Sequence, residues 1–78
     1  MQIKVRITTT DNDKISCSHV QIFDSEDEFE KAQFEAISAF EQFFGLRHAL
    51  IAYEGDEGNL KMFCNDCNNT EEWEVIHS

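Results

Sequence analysis

No proline occurs in the chain, and its three glycines, Gly45, Gly55 and Gly58, are too dispersed to build a phosphate-cradling loop. Nothing resembles a proline-rich or glycine/serine-rich linker, an internal repeat or a low-complexity segment, so residues 1–78 read as a single domain. Apolar runs approaching the ~18 residues of a membrane span are absent. The start, Met1-Gln2-Ile3-Lys4-Val5-Arg6, alternates where a signal peptide would be continuously apolar, which gives a cytoplasmic expectation with no membrane partner. Cations are scarce: six lysines and arginines face sixteen aspartates and glutamates. The lack of a basic patch interleaved with aromatics counts strongly against direct nucleic-acid binding, and none is expected. A domain this small buries only about 60% of its unfolded-chain surface and has little room for an enclosed substrate cavity, so neither enzymatic activity nor a cofactor is expected.

What is present is organised around the stretch from Phe23 to Gly45. Ser25 is placed to cap a helix by accepting from the residue-28 amide, with Glu28 reaching back to the Ser25 amide, and Gly45 supplies the positive-φ residue that ends it. At 3.6 residues per turn, Phe29, Ala32, Gln33, Ala36, Ile37, Phe40, Phe43 and Phe44 share one broad sector. That apolar face is wide enough to cover a sheet.

The remaining segments alternate with the period of strands. Residues 2–9 set Ile3, Val5 and Ile7 against Lys4, Arg6 and Thr8, and Thr10 to Asp13 turn the chain. Residues 14–23 change parity between Ile15/Cys17 and Val20/Ile22, which calls for a bulge near Ser18 and His19. His48 to Glu54 is almost equally apolar on both faces and is expected at the centre of the sheet. Leu60 to Cys64 and Glu72 to His77 complete the set, the last expected at an edge, where Glu72 and Glu74 would discourage further pairing. The expectation is an α+β fold of order β-β-α-β-β-β, with one amphipathic helix on one face of a small, mainly antiparallel sheet.

The formal charge of −10 is unevenly spread: residues 1–23 carry +1 and residues 24–78 carry −11. Such a field repels nucleic acid and anionic lipid and attracts cationic surfaces, so the expected partner is a basic protein or nucleoprotein complex, met by a monomer or small homo-oligomer. Asp27, Glu30, Glu35 and Glu41 line the outer helix face, and Glu54, Asp56 and Glu57 extend the acidic ridge from a neighbouring loop. Carboxylates repeating with the helical turn can occupy positions that phosphates take in a basic channel. Phe34 lies off the apolar sector among these acids, the arrangement of an apolar anchor within a polar interface rim, or of a side chain in contact with the loop at 54–59 or with the strand edge. An ordinary solvated helix face would show the same charges, and the helix dipole alone accounts for Glu26, Asp27 and Glu28.

Cys64-Asn65-Asp66-Cys67 has the spacing of half a zinc knuckle, and a small binding module with zinc at Cys64 and Cys67 is the alternative function. Completing it would require ligands from Cys17, His19, His48 or His77. The metal-free reading makes Cys64 a small buried residue and Cys67 a turn thiol. An odd cysteine count without a secretory signal points to reduced thiols. Cys17 or Cys67 could be paired with His48 on paper, but no local signature of nucleophilic catalysis supports this.

In size, acidity and element order the chain resembles the small phage-encoded inhibitors of bacterial defence, anti-CRISPR proteins in particular. The likeness lies in a hairpin, an alanine- and phenylalanine-rich helix and a short meander ending in Trp73-Glu74-Val75-Ile76. These inhibitors share no diagnostic motif, so no residue role follows from the resemblance. It implies a non-catalytic protein acting in the host cytoplasm, one that blocks a CRISPR-type complex by occupying its nucleic-acid path or subunit surfaces.

Overall fold

A computed structural model describes residues 2–77. Its elements are β1 (Ile3–Asp11), β2 (Lys14–Phe23), α1 (Glu26–Phe44), β3 (Ala49–Glu54), β4 (Asn59–Cys64) and β5 (Thr70–Val75). The five strands form one antiparallel sheet of order β2-β1-β5-β4-β3, and α1 packs on one face of it. The α+β architecture expected from the alternation is the one observed. No helix among the described residues is long and apolar enough to cross a membrane.

The first hairpin closes through Asn12 and Asp13, both at positive φ (54° and 67°), the backbone hand that matches the twist of the paired strands. Chain direction then reverses through α1, which carries it from the β2 edge of the sheet to the opposite edge at β3. The Ser25 hydroxyl accepts from the Glu28 amide at 3.2 Å, as the capping pattern requires. Glu28 reaches one residue further back than expected, its carboxylate accepting from the Asp24 amide at 3.3 Å. At the other end Gly45 adopts φ 92° and ψ 143°, accessible essentially to glycine alone, while its amide still donates to the Glu41 carbonyl at 2.8 Å.

Between the layers lies a core of Val5, Ile7, Phe23, Phe29, Phe40, Leu60, Met62, Cys64 and Trp73. Trp73 stacks on Phe23 at 6.0 Å between ring centroids, and Phe29 leans on both. Phe40 is buried and pairs with Phe44 at 4.5 Å. Phe43 departs from expectation at 82% exposed: about 100° of helical rotation before Phe44, it falls beyond the side of the helix that meets the sheet.

Three strand assignments are corrected. The fifth strand is not an edge but lies between β1 and β4, because its acids meet cations across the ladder: Glu74 is in register with Arg6, and Glu72 pairs with Lys61 at 3.7 Å. The third strand is not central but forms the far edge, leaving Leu50 and Tyr53 exposed. The β2 bulge falls at Ser16, where the register slips between Thr9 and Thr10, rather than at Ser18 and His19. Cys17, His19 and Gln21 therefore share the helix-side face with Phe23, while Ile15, Ser18, Val20 and Ile22 share the uncovered face.

Candidate functional site: an acidic, aromatic-walled groove

Where the first half of α1 meets the β3–β4 loop, the surface dips into an open-sided groove of about 480 Å³. Glu26, Glu30 and Phe34 form its helix wall; Tyr53, Asp56, Glu57 and Gly58 form the other. Phe34 and Tyr53 are 70% and 59% exposed, so their rings border solvent instead of filling the core. Four carboxylates line the groove and no lysine or arginine does. One of the four has a partner of its own, Glu57 Oε2, which lies 2.8 Å from His77 Nε2.

Electrostatics alone would drive these carboxylates apart, and two packing features hold them together. Gln33, the one buried polar side chain among the described residues, donates from Nε2 to the Gly58 carbonyl at 2.6 Å, tying the loop to the helix. Gly58 also presses on the ring of Phe29 so closely that a β-carbon there would lie 2.8 Å from Cε2. The loop is thus clamped by a glycine that touches the core and an amide buried beneath it. At the following residue Asn59 accepts the Val75 amide at 2.8 Å and fixes the loop to β5.

Of the residues picked out from sequence, Glu30, Phe34, Asp56 and Glu57 come together in this groove. Asp27 is exposed on the helix but does not line it. Glu35, also exposed, follows Phe34 by about 100° and so projects from the shoulder of the helix away from the groove. Glu41 is half-buried and borders a separate shallow depression with Ser38, Gln42 and Leu46. Glu54 ends β3, and strand alternation places it with Leu50 and Ala52 on the uncovered face of the sheet. The proposed ridge is therefore divided, and its dense part lies at the start of the helix. Glu26, whose charge the helix dipole alone accounts for in the sequence, also lines the groove, while Tyr53 as a wall and Gln33 and Gly58 as its support are not signalled by the acidic pattern.

The thiols lie elsewhere. Cys64 is buried at the end of β4, and Cys67 is exposed in the turn before β5. The neighbouring Cys64 side chain, more than the slight loss of hydration, pushes the Cys67 pKa above its ordinary value. Among the described residues no group of three or more His, Cys, Asp or Glu side chains is placed to hold a metal ion. His48 is engaged with the Asn65 side chain at 3.2 Å, and the Cys17 sulfur lies 3.8 Å from His19 Nδ1. Comparison of the chain with protein-family models, curated proteins and solved structures finds no match.

Proposed function

We propose that the chain is a non-enzymatic interaction protein that docks a basic, nucleic-acid-binding surface of a partner into the groove between α1 and the β3–β4 loop, and so denies nucleic acid that surface. The observation that supports this is the clamp: the Gln33–Gly58 hydrogen bond and the Gly58–Phe29 contact gather Glu26, Glu30, Asp56 and Glu57 around two exposed rings, where charge repulsion would spread them. An arginine or lysine entering the groove gains carboxylate partners and aromatic faces together. Docking of several such side chains along the acidic helix would place carboxylates where a nucleic-acid backbone otherwise lies. The resemblance to anti-CRISPR inhibitors makes a CRISPR-type effector in the host cytoplasm the first partner to test.

The experiment is a pull-down from bacterial lysate with mass spectrometry, followed by titration of the captured protein at two ionic strengths with and without competing nucleic acid. Three exposed ion pairs at about 0.5–1 kcal/mol each predict that Glu30→Lys/Asp56→Lys/Glu57→Lys weakens binding about 10- to 100-fold at low salt and less at high salt. Glu35→Lys, on the other shoulder, should cost far less. Equal binding by parent and triple variant, or failure of nucleic acid to compete, refutes the proposal.

A further inference from the structure

Strand β2 forms one edge of the sheet, and among the described residues nothing runs along its outer side. Of Lys14–Phe23, only Phe23 is buried; Ile15, Val20 and Ile22 are 71%, 43% and 55% exposed on the uncovered face. Edges of this length are a template for pairing with another chain unless proline, charge or a bulge interrupts them. Here the one bulge, at Ser16, sits near the hairpin, and the run Cys17–Phe23 beyond it has no proline, glycine, lysine, arginine or carboxylate. The opposite edge, β3, is shorter and runs through Glu54 into the acidic loop.

We infer that β2 is the self-association edge of this protein, pairing antiparallel with β2 of a second copy about a two-fold axis to give a continuous ten-stranded sheet. Charge selects this occupant. With a net charge of −10, two copies meet at least electrostatic cost where carboxylates are absent, and among the described residues β2 is the only strand with an unpaired edge that carries none. Two-fold pairing also sets like faces together. A register centred on His19, Val20 or Gln21 aligns Val20 with an uncovered-face residue of the partner, and His19 and Gln21 with its helix-side residues. None of these registers opposes carboxylate to carboxylate. The acidic groove takes its outer wall from Tyr53 of β3, at the far edge, so each copy's groove stays open and the inference stands whether or not that groove is the docking site.

Sedimentation equilibrium of the purified chain from micromolar to millimolar concentration tests this directly, since each copy weighs 9.1 kDa. The expected result is a concentration-dependent rise to twice that mass, accompanied by slowed amide exchange confined to residues 17–23. Val20→Lys/Ile22→Lys places charge on the edge and should return the monomer mass with an unchanged circular dichroism spectrum. Phe43→Asp/Leu46→Asp alters a different exposed apolar pair, at the end of α1, and should leave the dimer intact. A parent chain that stays monomeric at millimolar concentration overturns the inference, as does a dimer that survives the β2 double variant or is lost in the α1 double variant. Should the β2 variant fail to fold, amide exchange on the parent decides: concentration-dependent protection outside β2, or none, is a refutation.

Discussion

Gly58 supports both the core and the groove, and replacing it separates the two reasons a glycine is needed there. Its φ of +93° strains any residue with a β-carbon, by roughly 1–2 kcal/mol. In addition, the new β-carbon would lie 2.8 Å from Phe29 Cε2, and Phe29 is 5% exposed between Phe23 and Trp73, with no free side to turn to. Overpacking of that kind typically costs about 1–3 kcal/mol. Gly55, in the same loop, is the control: its φ is +75°, and nothing lies within 4 Å of the β-carbon it would acquire. The gain from a less flexible unfolded chain is common to both substitutions and cancels in the difference. Gly58→Ala should therefore be less stable than Gly55→Ala by about 1–3 kcal/mol, a large share of the ~5–15 kcal/mol that holds a small domain folded. Urea unfolding measures it, provided the m-values of the two variants agree. Equal midpoints for the two variants would show that the loop does not bear on Phe29 and would remove the clamp from the account of the groove.

Phe40→Ala should cost about 3–5 kcal/mol, whereas Phe43→Ala should stay within about 0.5 kcal/mol, because only Phe40 leaves a cavity; thermal or urea melts distinguish them. Cys67 is exposed, yet the neighbouring Cys64 side chain raises its pKa, so its alkylation by iodoacetamide should rise only at a pH above that of an ordinary cysteine. Cys64→Ala removes that partner and should move the Cys67 rate profile to lower pH, as read by mass spectrometry of the labelled peptide; an unchanged profile would deny the thiol contact.

How much of the fold the sequence disclosed follows from how local each signal is. The helix cap, its glycine stop and the alternation within each strand depend on residues a few positions apart, and all of these appear with boundaries displaced by only a residue or two. Strand order depends on residues far apart in the chain, and there reading by type misled. Glu72 and Glu74 look like edge protection until Lys61 and Arg6 are seen across the ladder, where the same carboxylates stabilise a central strand. The even apolarity of β3 suggested burial on both sides, but the helix covers one face only and Leu50 remains exposed on the other. In β2 a parity change is legible in the sequence, but it falls between Ile15 and Cys17, which lie on opposite faces instead of sharing one, because the position of the bulge depends on the facing residues Thr9 and Thr10 and is not contained in β2 itself.

The same distinction between local and distant information governs the groove. Helical spacing brought Glu30 and Phe34 together in the sequence, four residues apart, and composition marked Asp56 and Glu57 as an acidic loop; that the two meet is a fact about Gln33. A glutamine in an otherwise apolar helical sector is an anomaly visible in the sequence, since burying its amide without a partner would cost about 1–3 kcal/mol. It therefore implies a backbone acceptor brought in from elsewhere, and only a loop free of side-chain bulk can approach a helix closely enough to provide one. Gly58 meets that requirement and places its carbonyl 2.6 Å from the Gln33 amide. Read this way, the buried glutamine and the second glycine of Gly55-Asp56-Glu57-Gly58 form one signal: a polar residue in the core face, paired with a glycine in an acidic loop, locates where the loop is held and hence where its carboxylates must point.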